Sequence, residues 1–148
     1  MMRKLQYWIF VVLTALSVAS TGCISDDFTT SSSDVLAFST DTVAFDTVIT
    51  AQSTPTKQFM VYNRSKKMIN ISSIKVAGNE RGRFYINVDG MKGSEFHDVE
   101  VRGQDSIYVM VESNIDVTGA DEPIEATDRI DFVTNGVTQS VTLTAWGQ

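Results

Sequence analysis

Cys23 and His97 are the only cysteine and the only histidine in 148 residues, which removes most metal and nucleophilic chemistries at the outset. His97 stands between Phe96 and Asp98, with Glu95 two positions before it, and an imidazole beside carboxylates can ligate a metal or act as a base. Nothing nearby completes such a set, so His97 is read as a surface side chain at a strand start. Asp116, Asp121, Glu122 and Glu125, with Asp128 just beyond, offer the hard oxygens that calcium prefers. They lack the alternating spacing of a calcium loop and read as a solvated connection around Pro123. Arg64, Lys66 and Lys67 form a basic cluster after Asn63, expected in a charge-balanced hairpin turn. With no nucleophile, base and orienting group to assemble, the expectation is a chain that is not an enzyme and carries no cofactor or resident metal.

The amino terminus carries an address. Arg3 and Lys4 make a short basic stretch, and Leu5 to Ala19 follow without a charge, the pattern of a secretory signal. That run is short for a membrane span of about 20 residues, and Ser20, Thr21 and Gly22 are small enough for a signal peptidase. Without residues 1 to 22 the chain keeps ten basic and eighteen acidic side chains, a formal charge of −8. Such a balance argues against nucleic acid as a partner.

Cys23, directly after Ser20-Thr21-Gly22, resembles the lipobox cysteine of bacterial lipoproteins, with Ser20 a departure from the usual leucine. The resemblance implies a thiol acylated, with palmitate among the acyl chains, and cleavage on its amino side. Several acyl chains hold a protein firmly at a membrane where one does not. Ser25, Asp26 and Asp27 resemble the export signal of Bacteroidetes lipoproteins displayed on the outer face of the outer membrane, an address read by a receptor. Phe28 to Asp34 is rich in Thr and Ser and reads as a flexible spacer. The expected divisions are a signal peptide over 1–22, a lipidated tether over 23–34 and a globular domain over 35–148.

From Val35 onward apolar residues recur at every second position in short runs, which indicates half-buried strands. Phe59 and Val61 share a face opposed to Gln58, Met60 and Tyr62. Phe84, Ile86 and Val88 alternate with Arg83, Tyr85 and Asn87. Ile107, Val109 and Val111 alternate with Tyr108 and Met110, and Val141, Leu143 and Ala145 with Thr142, Thr144 and Trp146. Ile71 and Ile74 are three apart, which predicts a bulge, and a bent strand can change sheets. Asn135-Gly136, between two such runs, suits the positive φ angles of a type I′ turn and predicts a terminal hairpin. Gly103-Gln104-Asp105 and Asp89-Gly90 mark further turns. About eight strands with no helix predict an all-β, antiparallel immunoglobulin-like β-sandwich.

Several of these segments together resemble the Hydin-like (ASH) immunoglobulin-like domains, in particular those of Bacteroidetes surface lipoproteins. The matching residues are Phe59, Val61 and Asn63, the run Met68 to Ile74, Phe84 and Ile86, Val99 to Val101, and Gly103 to Glu112. Asp131 to Gly136 and Val141 to Gly147 complete the pattern. The resemblance implies the sandwich fold and supplies no catalytic residues. Relatives often carry such a domain ahead of a larger right-handed β-helix.

Asp41-Thr42-Val43, Asp46-Thr47-Val48 and Asp105-Ser106-Ile107 resemble the acceptor of Bacteroidetes O-glycosylation, with Thr42, Thr47 and Ser106 as the hydroxyls. Tyr62, Tyr85, Tyr108 and Trp146 fall on outward faces, where a cluster could stack on sugar rings or a partner surface. The expected function is a non-catalytic outer-membrane lipoprotein: a binding or spacer module, anchored by lipid and exposed at the cell surface, for adhesion, envelope architecture or contact with a glycan or protein. The alternative is the amino-terminal accessory domain of a larger glycan-active or glycan-binding surface protein.

Overall fold

The structure is a computed structural model that describes residues 3–4, 26–48, 56–78, 83–114 and 124–147. The period-two runs become ten strands among these residues: β1 (Leu36–Phe38), β2 (Thr42–Val48), β3 (Thr56–Asn63), β4 (Ile69–Val76), β5 (Phe84–Val88), β6 (Met91–Gly93), β7 (Glu95–Val101), β8 (Ser106–Ser113), β9 (Ile124–Thr134) and β10 (Val137–Gly147). Ten exceeds the expected eight or so because β1 and β6 span only three residues each, too short for an alternation to show. In β8 the buried positions are Ile107, Val109, Val111 and Ser113, so every second side chain faces the core as a pleated strand requires.

The strands form two five-stranded sheets, ordered β1-β3-β8-β5-β6 and β2-β10-β9-β4-β7. Among the described residues every pairing between these strands is antiparallel except one. β2 runs parallel to β10, with Leu143 opposite Val43 and Ala145 opposite Phe45. The expected antiparallel sandwich is thus present, with this one parallel pairing at the edge of its second sheet. The cause is local: β1 pairs with β3 in the first sheet, and the chain then crosses at Ser39–Asp41 to lie against β10 in the second. The spacing of Ile71 and Ile74 predicts a bulge in β4. That strand does bulge, with a register shift between Ile71 and Ser73, but it stays in the second sheet between β7 and β9.

Aromatic rings from the two inner faces interlock. Phe132 of β9 meets Phe59 of β3 edge-on at 6.3 Å and Phe38 of β1 at 5.0 Å, while Phe45 of β2 lies 6.2 Å from Phe84 of β5. The four residues Phe45, Phe59, Phe84 and Phe132 are all fully buried, and Ile, Val and Leu side chains fill the spaces between them. Ring pairs of this kind add to the stabilisation from burial alone. The predicted terminal hairpin is present: Asn135 and Gly136 have φ of 50° and 79°, joining β9 and β10 in register over their full lengths.

Packing begins before Val35, which corrects the reading of Phe28 to Asp34 as a flexible spacer. Phe28 forms a parallel bridge with Met68: the Met68 amide donates to the Asp27 carbonyl at 3.0 Å, and the Thr29 amide donates to the Met68 carbonyl at 2.8 Å. Thr29 is buried, and its hydroxyl donates to the Asp34 carboxylate. A segment of Thr and Ser has too few apolar side chains to advertise packing, yet its backbone groups and hydroxyls supply the contacts.

The chain enters beside Met68 and Asn135, and β10 then runs away from that end to Gly147. Eleven residues at about 3.3 Å each carry it about 35 Å. The strand ends at Val48, Ile124 and Gly147 therefore lie together at the far end of the sandwich.

Candidate functional site

The end at which the chain enters is built by side-chain amides. Asn63 follows Phe59 and Val61 on the inward face of β3, so period two delivers a polar side chain to the core. It is buried, and its Nδ2 reaches the carbonyls of Lys67, Val101 and Arg102 at 2.8, 3.0 and 3.0 Å, while its Oδ1 accepts from the Ser65 amide at 2.9 Å. One side chain thus ties the β3–β4 connection to the end of β7. Gly103 sits where a Cβ would come within 2.2 Å of the Lys66 carbonyl oxygen, so the two connections press backbone to backbone. The Gln104 amide donates to the Ser65 carbonyl at 2.9 Å and closes the contact.

Two further amides hold the incoming chain. Asn135 Nδ2 donates to the Ser31 carbonyl at 2.9 Å and to the Asp34 carbonyl at 3.2 Å. Gln139, on the second sheet, accepts from the Leu36 amide at 3.0 Å and donates to the Leu36 carbonyl at 2.9 Å, acting as a substitute strand for the edge of β1. The basic cluster sits on this end. Arg64, Lys66 and Lys67 occupy a connection between the two sheets, not the hairpin turn expected for them, because β3 and β4 belong to different sheets. Arg102, also exposed, stands beside them at the end of β7.

Of the address residues, Ser20, Thr21, Gly22, Cys23 and Ser25 lie outside the described residues, whereas Asp26 and Asp27 are exposed immediately before the bridge to Met68.

The outward aromatics separate into two groups. Tyr62, Tyr85 and Tyr108 share the outer face of the first sheet, where Tyr108 lies directly opposite Met60, Tyr62 opposite Ser106 and Tyr85 opposite Glu112. Tyr62 and Tyr108 are therefore diagonal neighbours, about 7–8 Å apart by sheet geometry, and Tyr85 stands farther along. The Arg64 guanidinium lies over the Tyr62 ring at 5.4 Å, and the Lys92 ammonium, paired with Glu112, lies over the Tyr85 ring at 5.7 Å. A stacking sugar would have to displace these cations. Trp146, 48% exposed, is on the other sheet opposite Glu125.

The remaining candidates are dispersed. His97, opposite Ser73 on the edge strand β7, lies 3.3 Å from the Ser72 carbonyl oxygen and 3.3 Å from Glu95, which also pairs with Lys75 at 3.6 Å. Glu125 belongs to β9 and not to the connection expected for it, and Asp128 lies in the same strand; Asp116, Asp121, Glu122 and Pro123 lie outside the described residues. Asp128 accepts the amides of Gly78 and Arg129 at 2.7 Å each, so its carboxylate caps backbone. Among the described residues no group of three or more His, Cys, Asp or Glu side chains could hold a metal ion. Thr42 is exposed on β2, Ser106 is half-buried with its amide on the Asp105 carboxylate, and Thr47 is backbone-paired opposite Trp146.

No protein-family model and no curated protein sequence matches the chain. Among solved structures, a protein of unknown function from Porphyromonas gingivalis W83 matches with a TM-score of 0.58 and 9% identity, over 86% of this chain and 50% of that one. The CooA pilin subunit from enterotoxigenic Escherichia coli matches at 0.47 and 8% over 76% of this chain and 97% of the pilin. The E. coli chaperone DraB matches at 0.44 and 11% over 78% and 55%. The chain thus spans half the length of the Porphyromonas protein. At such identities the likeness concerns the fold: an immunoglobulin-like sandwich of two five-stranded sheets.

Proposed function

We propose that the chain is a non-catalytic, lipid-anchored spacer of the bacterial outer membrane, held through an acylated Cys23 and displayed on the cell surface. The carrying observation is the separation of its two ends. The segment after Cys23 is bonded to Met68 and Asn135 at one end of the sandwich, and β10 leaves at the other, about 35 Å away by strand rise. A rigid body gripped at one end and open at the other holds whatever lies beyond it clear of the bilayer. The lipobox-like Ser20-Thr21-Gly22-Cys23 and the Ser25-Asp26-Asp27 signal supply the anchor and the address. The finer assignment to the Hydin-like domains rests on the F-x-V-x-N strand, in which Asn63 latches two connections.

The same separation favours a second reading, in which the sandwich is the accessory domain of a larger glycan-active or glycan-binding protein whose next domain would start where β10 ends. A glycan array with the full chain distinguishes them: the spacer binds no glycan, and saturable binding that Tyr108→Ala or Trp146→Ala removes favours the second reading. Protease shaving of intact cells tests display. Loss of the protein from the cell surface is expected, and full protection would face it toward the periplasm.

A further inference from the structure

The turn that joins β9 to β10 holds the incoming chain through one carboxamide. Asn135 Nδ2 donates to the Ser31 carbonyl at 2.9 Å and to the Asp34 carbonyl at 3.2 Å, and the residue that follows it is Gly136. The other five asparagines precede Arg64, Ile71, Glu80, Val88 and Ile115, so this is the one place in the chain where a backbone amide with no Cβ beside it follows an asparagine. Thr134 pairs with Val137 in the hairpin, which leaves the Gly136 amide outside the ladder. Gly136 is exposed, and nothing lies within 4 Å of a Cβ built on it. An accessible amide nitrogen thus stands next in the chain to the carboxamide that ties down the amino-terminal segment.

We propose that Asn135 is a deamidation site whose reaction makes release of the docked segment permanent. The Gly136 nitrogen attacks Cγ of Asn135: a new N–C bond closes a succinimide ring, the Cγ–Nδ2 bond breaks, and Nδ2 leaves as ammonia with the proton that the Gly136 nitrogen gives up. Water then adds to a ring carbonyl and breaks its bond to that nitrogen, leaving aspartate or isoaspartate. Solvent is the only co-reactant. Either product carries a carboxylate, ionised at neutral pH and able only to accept. It has no proton to offer the Ser31 and Asp34 carbonyls, and its charge is set against their oxygens. The aspartate product keeps the turn, since Asp-Gly also suits type I′ geometry, so the latch is lost while the sandwich stays folded. While both bonds hold, the carboxamide is restrained; conversion therefore runs from molecules whose segment has let go, and it fixes them in that state.

The test holds the full chain, purified in detergent, at neutral and at mildly alkaline pH and reads each asparagine from peptide masses. The Asn135 peptide is expected to convert with release of ammonia, faster at alkaline pH because the attacking nitrogen must lose its proton, while peptides holding Asn70 and Asn87 stay unchanged. Conversion at Asn135 no faster than at Asn70 and Asn87 overturns the site. Hydrogen exchange of Asn135→Asp then reads the consequence. The Thr29 amide is expected to exchange about thirtyfold faster than in the parent chain, the equivalent of two lost hydrogen bonds, and faster than in Asn135→Ala, which loses the same bonds without gaining a charge. Unchanged exchange at Thr29 in Asn135→Asp overturns the release, and exchange no faster than in Asn135→Ala overturns the part given to the charge.

Discussion

Asn63 shows what a single side chain contributes at the end of a sandwich. Removing its amide leaves the carbonyls of Lys67, Val101 and Arg102 and the Ser65 amide to find other partners in a buried place. Asn63→Ala is expected to lower the unfolding free energy by about 3 kcal/mol, read as a reduced urea midpoint at unchanged slope. Gly103→Ala forces a Cβ against the Lys66 carbonyl oxygen, which is backbone and cannot swing aside; a loss of about 2 kcal/mol is expected in the same measurement. Gly136 differs in kind. Nothing lies within 4 Å of a Cβ built there, so Gly136→Ala meets only the strain of φ 79° and is expected to cost about 1 kcal/mol. The sequence makes Asn63 visible as a polar residue in step with Phe59 and Val61. Its partners are not visible, because Lys67 and Arg102 come together only once two sheets have packed. Nor did spacing reveal the amide roles of Asn135 and Gln139, whose acceptors lie about a hundred residues away in the chain.

At the scale of elements, long strands were legible and short ones were not. β8 and β10 carry enough alternating positions to define both their faces and nearly their limits, whereas β1 and β6 offer three residues and leave no period to read. The parallel pairing of β2 was hidden for another reason: its direction follows from the crossing at Ser39–Asp41, and local composition carries no information on which sheet a strand joins. The spacer reading of Phe28–Asp34 failed because it weighed side-chain polarity, while the segment is held through backbone groups and by Asn135. Asn135→Ala removes two of those bonds without touching the core. Amide hydrogen exchange is therefore expected to accelerate at Thr29, whereas Val109 and Phe132, on central strands, keep their protection. Unchanged exchange at Thr29 would show that the bridge to Met68 suffices on its own.

For the whole molecule, the arrangement amounts to a two-sheet body with its docked amino-terminal segment at one end and the last residues of β10 at the other. The core that makes it rigid is aromatic: Phe132→Ala empties the meeting point of Phe38 and Phe59 and is expected to cost about 4 kcal/mol, read by thermal or urea unfolding. What sequence alone suggested for function lies almost wholly ahead of the sandwich, in Ser20 to Asp27, and what the fold adds is that the chain is docked at Met68 from Asp27 onward. Of the outward tyrosines, by contrast, Tyr62 and Tyr85 lie beneath Arg64 and Lys92, which makes a weaker case for a binding platform than their spacing suggested. The proposed anchoring rests on the chemistry of one thiol, that of Cys23. The direct measurement is the mass of the amino-terminal peptide of the protein extracted from membranes: it is expected to begin at Cys23 and to carry a diacylglycerol and an amide-linked acyl chain. A peptide that begins elsewhere, or that begins at Cys23 without added mass, would contradict it.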